Sequence, residues 1–159
     1  MEAAEQAGAE ATVTNLAGLP ALVGRSLGHS PWRTMTQEEV NAFADLTGDH
    51  NFIHVDVARA RETPFGGTIA HGYFTLSLVP RFSYDTVKYE GFSFAVNYGV
   101  NKVRFPAPLM VGAKVRMHTK LQSVEDVPGG IQVTSVVTME TDRCEKPVCV
   151  AETLARLYV

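Results

Sequence analysis

The second half of the chain alternates apolar and polar residues with the period of a β-strand. Within 113–124, one face carries neutral side chains and the other basic ones: Val115, Met117, Thr119 and Leu121 against Lys114, Arg116, His118 and Lys120. This pattern predicts a strand with one buried face and one solvated face. The segments 93–105, 131–139 and 148–159 are predicted strands as well. Short Gly- and Pro-containing turns join the later strands, which favours antiparallel pairing.

The first half follows a helical pattern. Thr36 and Glu39 have the spacing of a capping box, and Gly48 suits a left-handed cap at the other end. We therefore predict a helix over 37–47. Its expected buried positions are Val40, Phe43, Ala44 and Leu46. A short helix over 15–23, a loop over 49–56 and a helical turn from Asp56 to Arg61 are also expected.

The segment 69–82 is too continuously apolar for a surface helix. We predict a central helix here that is buried on nearly all sides. One such helix beside one antiparallel sheet defines an α+β fold, in which a curved sheet wraps around the helix. We expect a single domain over 13–159, preceded by a disordered tail over residues 1–12.

Composition excludes several classes of protein. The chain has 159 residues, 45% of them hydrophobic, and a net charge of −3 with scattered basic residues. This distribution argues against a nucleic-acid-binding protein. We find no signal peptide and no apolar run long enough to span a bilayer, which favours a cytoplasmic protein without a membrane partner. Cys144 and Cys149 match no metal motif and are expected to be reduced.

Asp49 and His54 are the first candidates for chemistry. They lie on a polar loop that Phe52 and Ile53 are expected to pin into the core. A carboxylate and an imidazole held there can share one water and manage its proton. The alternative is an ordinary turn with a hydrogen-bonding histidine. His50 and His54 have a spacing that suggests a metal site, but no His-Glu-x-x-His pattern is present, and we expect no metal.

A second candidate is the pair His71 and Gly72 at the start of the central helix. The N–H groups of Gly72 and Tyr73 are expected to be free donors at the positive end of the helix dipole, suited to a developing oxyanion. The alternative is that Gly72 only permits close packing. Ser77 is either a buried hydroxyl or faces the same site.

Lys102 and Arg104 alternate with apolar residues near the end of the first long strand. They form either a solvated strand face or a lip that holds a phosphate. The chain lacks the Gly-x-Ser-x-Gly, Gly-x-Gly-x-x-Gly and P-loop patterns. A serine hydrolase and a nucleotide cofactor therefore have no support, and we expect no cofactor.

Three ordered blocks resemble the MaoC-like, (R)-specific enoyl-CoA hydratase family, in the single-domain branch that includes nodulation protein N homologues. They are FADLTGDHNFIH (43–54), IAHGYFT (69–75) and NKVRFPAP (101–108). The resemblance extends from about Thr34 to the C-terminus. It implies a hot-dog fold and a homodimer whose sheets join, with acyl-CoA at the subunit interface. One departure is Phe52, where many members carry proline.

The resemblance also implies roles for individual residues. Asp49 and His54 match the catalytic dyad, and Gly72 matches the backbone oxyanion donor. Asn51 is expected to order the loop and Ser77 to support the dyad. The predicted substrate-binding residues are Asn51, His71, Tyr73, Ser77, Lys102 and Arg104. The implied reaction is reversible hydration of a trans-2-enoyl-CoA to an (R)-3-hydroxyacyl-CoA. Three alternatives remain: an acyl-CoA thioesterase, a non-catalytic acyl-CoA or lipid-signal binding protein, and a dehydratase of substrates bound to a carrier protein.

Overall fold

The computed structural model describes residues 11–159. The strands are β1 (Thr12–Asn15), β2 (Ser26–His29), β3 (Arg33–Thr34), β4 (Val87–Glu90), β5 (Phe94–Arg104), β6 (Lys114–Val127), β7 (Gly130–Thr141) and β8 (Cys149–Tyr158). The helices are α1 (Gln37–Thr47), α2 (Phe52–Val55), α3 (Val57–Arg61), α4 (Gly72–Ser77) and α5 (Val79–Thr86). Residues 1–10 of the predicted tail lie outside the described residues, and Thr12 already belongs to a strand.

The main sheet has six strands and is antiparallel, as the sequence predicts. Its order is β2-β6-β7-β8-β5, and β3 pairs with β6 beside β2. The four long strands are those predicted from periodicity, with bounds shifted by a few residues at most. β5 pairs with β8 alone and forms an edge of the sheet. A second small sheet pairs β1 with β4 in parallel.

The capping signals around α1 are confirmed. The Thr36 side chain accepts a hydrogen bond from the Glu39 N–H, the reciprocal Glu39 contact is present, and Gly48 has a φ of 77°. Val40 and Ala44 are fully buried, one turn apart. The burial predicted for Leu46 is wrong, since this side chain is 84% exposed. Leu46 lies on the opposite side of α1 from Val40 and Ala44.

The central helix also departs from its prediction. It begins at Gly72 rather than Ile69, and it is interrupted at Leu78 between α4 and α5. Pro80 explains the interruption, since its ring clashes with the carbonyl of the residue four positions earlier. The predicted burial on nearly all sides is wrong as well. Tyr73 is 76% exposed, because the sheet covers only one side of the helices.

The core fills the space between these helices and the sheet. Its fully or almost fully buried members include Phe82, Met117, Val137 and Met139.

The helix predicted over 15–23 is wrong: β1 ends at Asn15, and only a short 3-10 helix follows at Leu19–Leu22. The expected loop over 49–56 contains the short helix α2. No helix within residues 11–159 is long and apolar enough to cross a membrane.

Candidate active site

The loop after α1 is shaped by its own polar side chains. Gly48 turns the chain at a positive φ, where a side chain would be strained. The next residue, Asp49, accepts a hydrogen bond from the Asn51 N–H at 3.3 Å. Asn51 caps α2 by accepting from the Ile53 N–H at 3.4 Å. The predicted ordering role of Asn51 therefore has a concrete basis, and the loop carries Asp49 and His54 into one corner of the fold.

Phe52 is held in place although it replaces the proline expected from the resemblance. It is the first residue of α2, a position where proline would suit the helix. The Arg59 guanidinium from α3 lies 3.8 Å from the centre of the Phe52 ring, a cation–π contact. This contact joins α2 to α3 through their side chains.

His54 is a buried neutral imidazole with a defined tautomer. Its side chain is 7% exposed, and its Nδ1 lies 2.7 Å from the carbonyl oxygen of Ile69. A carbonyl only accepts, so Nδ1 carries the proton and Nε2 is left as an acceptor. Burial lowers the pKa of His54, and the neighbouring His71 contributes in the same direction. His54 therefore offers a neutral nitrogen lone pair at neutral pH.

His71 connects the two predicted clusters. It is 2% exposed, and its Nε2 donates to the backbone carbonyl of Asp49 at 2.9 Å. Its ring stacks on His54 with centroids 3.8 Å apart and planes 28° apart. The ring of Phe43, from α1, packs against the His71 ring, with the two centroids 5.0 Å apart. One imidazole thus contacts both the Asp49 backbone and the His54 ring.

Gly72 brings in the third predicted block. A Cβ atom at this position would lie 2.9 Å from the ring of Phe105, so a larger residue would displace the ring. The close-packing explanation for Gly72 is therefore supported. The oxyanion explanation is compatible with it, because α4 starts at Gly72 without a side-chain cap. The first N–H groups of a helix lack partners within the helix.

Asp49, His54 and His71 lie close together. One carboxylate oxygen of Asp49 and one ring nitrogen of each histidine all lie within 4.8 Å of one another. Asp49 is exposed, whereas both histidines are buried. An exposed carboxylate beside a neutral imidazole can hold a water between two acceptors and take its proton. Carboxylate and imidazole also bind metals, and these three residues are the ones that would do so. One nitrogen of each histidine is already engaged by a carbonyl. The absence of a metal remains a prediction.

The remaining predicted residues lie around this corner. Tyr73 is largely exposed, with its ring edge-on to Phe105 at 6.4 Å. Ser77 is exposed and donates to the Phe74 carbonyl at 2.7 Å, so it does not contact Asp49 or His54 through that bond. Lys102 and Arg104 are exposed on β5. Arg104 directly precedes Phe105, which places this end of β5 beside the start of α4.

A cavity of about 500 Å³ begins one turn beyond Gly72. The helices contribute Leu76, Ser77 and Val79, among others, and the inner face of the sheet forms its floor. The dyad itself does not line this cavity. Gly72 and Leu76 lie four residues apart on the same face of α4.

Three contributors escaped sequence reasoning. The Ile69 carbonyl sets the tautomer of His54, Phe43 packs on His71, and Phe105 packs on Gly72. A backbone carbonyl has no sequence signature. The two aromatic residues carried a weak signal, since each lies within one of the three sequence blocks that define the resemblance.

Comparison with known proteins identifies the family. The MaoC like domain matches residues 19–143, most of the chain. The chain therefore belongs to the MaoC-like domain family. It is 51% identical over 146 residues to the Mycobacterium tuberculosis protein named 3-hydroxyacyl-thioester dehydratase Z, covering 91% of this chain and 97% of that protein.

Two further similarities agree with this assignment. Nodulation protein N of Rhizobium leguminosarum bv. viciae is 39% identical over 140 residues, covering 86% of this chain and 87% of the relative. The solved (R)-hydratase from A. caviae, involved in PHA biosynthesis, superposes with a TM-score of 0.70 at 26% identity, covering 85% of this chain and 96% of that one. The expected hot-dog fold is confirmed.

Proposed function

We propose that this protein reversibly hydrates trans-2-enoyl-CoA thioesters to (R)-3-hydroxyacyl-CoA thioesters. The observation that carries the proposal is the buried, neutral His54, whose tautomer is fixed by the Ile69 carbonyl and which lies beside the carboxylate of Asp49. The 3-hydroxyacyl-thioester dehydratase relative and the (R)-hydratase neighbour support the same chemistry.

In the proposed reaction one water is shared by two acceptors. Asp49 takes a proton from the water while the oxygen of the water bonds to C3 of the substrate. His54 orients the water through the lone pair on Nε2. The electrons of the double bond move onto the thioester oxygen, where the Gly72 N–H stabilises the enolate. The proton then returns from the dyad to C2, with His54 taking part, so that the substrate gains one water in total.

The same two side chains handle both additions. The dyad holds the water whose oxygen adds to C3 and returns the proton to C2, so we expect both to add from the same face of the double bond. The charge develops at the start of α4, and loss of one oxyanion donor typically lowers the rate about 10²- to 10³-fold. General acid–base catalysis contributes about 10²- to 10⁴-fold.

The experiment compares three variants of one loop in the hydration of crotonyl-CoA, followed by loss of the enoyl absorbance. Asp49→Asn and His54→Gln should each lower kcat at least about 10²-fold, since each removes one of the groups that manage the proton. His50→Gln is the matched control, because His50 is exposed and bonded to Asp45 instead. Near-wild-type hydration by Asp49→Asn or His54→Gln would refute the proposal.

Two alternatives give different readouts in the same assay. A thioesterase on this fold would release free CoA, which a thiol-reactive dye detects. A non-catalytic binding protein would bind crotonyl-CoA, measured by calorimetry, and leave its absorbance unchanged. The paired Asp49 and His54 favour the hydratase, since binding alone does not require a carboxylate and a neutral imidazole around one water.

We also propose that the protein is a homodimer joined along β5. This edge strand exposes large hydrophobic side chains, including Phe94, Tyr98 and Val100 at 55%, 55% and 47%. Tyr73 and Tyr84 extend the exposed apolar surface onto the helices. An unpaired edge with an apolar surface favours pairing with a second copy. Val100→Asp should shift the sedimentation mass from dimer to monomer, and a monomeric wild type would contradict the proposal.

Lys102 and Arg104 are proposed to hold the phosphates of CoA. Among the described residues neither forms an ion pair with a carboxylate, and both are exposed near the start of α4. Arg104→Ala should raise the KM for crotonyl-CoA and leave kcat almost unchanged. An unaltered KM would place the phosphates elsewhere.

A further inference from the structure

Gln37, the first residue of α1, joins two segments that are distant in the sequence. Its Nε2 donates to the backbone carbonyl of His54 at 2.7 Å, and its Oε1 accepts from the Thr68 hydroxyl at 2.6 Å. The same Nε2 also donates to Asn41 Oδ1 at 2.9 Å, one turn along the helix. One side-chain amide therefore connects α2 with the segment that leads to Gly72.

The orientation of the Gln37 amide follows from its partners. The His54 carbonyl only accepts hydrogen bonds, so the atom that contacts it is the amide nitrogen and not the oxygen. The amide oxygen then faces Thr68, which is 5% exposed and donates its proton. A flipped amide would place two acceptors against each other at His54. The side chain therefore fits its surroundings in one orientation.

Gln37 has a fixed position, whereas α2 has little support of its own. The capping box of Thr36 and Glu39 lies around Gln37 and orders the first turn of α1. The helix α2 is a single turn of four residues. Forming one isolated turn is unfavourable, because few hydrogen bonds within it offset the lost conformational freedom. The position of α2, and of His54 on it, therefore depends on bonds to other segments.

Three links hold α2 against Thr68 and Ile69. The Ile69 N–H donates to the Ile53 carbonyl at 3.0 Å. The His54 imidazole donates to the Ile69 carbonyl at 2.7 Å. The Gln37 amide is the third link, since it bonds to His54 at one end and to Thr68 at the other. His54 is thus held against the same segment through its backbone and through its side chain.

We infer that Gln37 is a positioning residue for His54. Its amide fixes the His54 backbone relative to the Ile69 carbonyl, which sets the tautomer that leaves the Nε2 lone pair free. This inference rests on the proposed hydratase function and adds to it a residue that acts through His54. A displacement of about 1 Å in the reacting groups costs roughly 10²-fold in rate. Loss of the Gln37 amide should therefore affect kcat more than KM.

The substitution Gln37→Met tests this inference in crotonyl-CoA hydration. Methionine has nearly the length of glutamine, but it cannot donate to the His54 carbonyl, and its sulfur is a weak acceptor for Thr68. We expect kcat to fall roughly 10- to 10²-fold with KM nearly unchanged. Asn41→Ala is the matched control, because it removes only the exposed bond of the same amide. This control should hydrate crotonyl-CoA at the wild-type rate.

Two measurements separate positioning from a general loss of stability. In a His54→Gln background, Gln37→Met should change kcat less than about twofold, since the group that it positions is already absent. The ¹⁵N NMR signals of the His54 imidazole report its tautomer without any substrate. The wild type should show one protonated and one unprotonated nitrogen. In Gln37→Met the two signals should move towards each other, because a weaker bond to Ile69 lets the proton occupy either nitrogen.

The outcomes distinguish this inference from the proposed function. If the wild type hydrates no enoyl-CoA, the proposed function fails, and the NMR signals alone decide whether Gln37 holds the His54 imidazole. If the wild type hydrates crotonyl-CoA but Gln37→Met keeps kcat within about twofold, the inference is overturned. An equal fall in kcat in the wild-type and His54→Gln backgrounds would also overturn it, since Gln37 would then act independently of His54.

Discussion

The substitution His71→Phe tests whether His71 positions the dyad. Phenylalanine keeps an aromatic ring between Phe43 and His54 but removes the N–H that donates to the Asp49 carbonyl. The lost hydrogen bond costs about 1 kcal/mol. Part of this is offset, since His71 Nδ1 is buried without a partner among the described residues and is removed as well. The net loss of stability should stay below about 1 kcal/mol, or roughly 2–4 °C in Tm.

The effect on the reaction should be much larger. Without the His71 hydrogen bond the loop is free to move the Asp49 carboxylate relative to His54, and a displacement of about 1 Å can cost roughly 10²-fold in rate. The assay is crotonyl-CoA hydration for kcat and KM, with Tm from circular dichroism. We expect a large fall in kcat with KM and Tm nearly unchanged.

Two results would refute this reasoning. A kcat within about twofold of the wild type would show that Asp49 does not depend on His71. A raised KM with an unchanged kcat would instead support the prediction that His71 binds substrate. His71→Gln is the matched variant, since its amide is able to donate to the Asp49 carbonyl, and it should recover part of the lost kcat.

Three further predictions concern pH and backbone geometry. Because burial lowers the pKa of His54 in the folded protein, the unfolded chain binds more protons as the pH falls below the ordinary value of about 6.5. Stability should therefore decrease through this window and level off below the folded pKa, and melts of His54→Gln should show less of this decrease. Gly130→Ala should cost about 3 kcal/mol in urea unfolding, because the new Cβ would overlap the Leu157 carbonyl oxygen. Gly48→Ala should cost about 1 kcal/mol because of its positive φ. Gly67→Ala, where φ is not positive and a Cβ would make an ordinary contact with the Met110 side chain, is the control for both and should have a smaller effect than either.

The strands and α1 could be predicted because their signals are local. The alternation along β6 follows directly from one face being buried, and the burial of Val115 and Met117 agrees with it. The Thr36 and Gly48 caps fix the ends of α1 through bonds within a few residues. Such features depend little on the rest of the fold.

The errors arise where distant parts of the chain decide the outcome. Leu46 has an apolar side chain, but which side of α1 is covered depends on packing that periodicity does not specify. Thr12–Asn15 is a strand because β4 pairs with it. The paired residues Thr12 and Val87 are 75 positions apart in the sequence. At the site, spacing suggested Asp49 and His54, whereas the Ile69 carbonyl that fixes the tautomer is visible only in the folded chain.

The most direct test of the proposed function is the enantiomer preference of the reverse reaction. The protein is incubated separately with (R)- and (S)-3-hydroxybutyryl-CoA, and formation of the enoyl thioester is followed by absorbance alongside free thiol. We predict that the (R) enantiomer is dehydrated and the (S) enantiomer is not, with no release of CoA. Dehydration of the (S) enantiomer, or release of CoA without an enoyl product, would contradict the proposed mechanism.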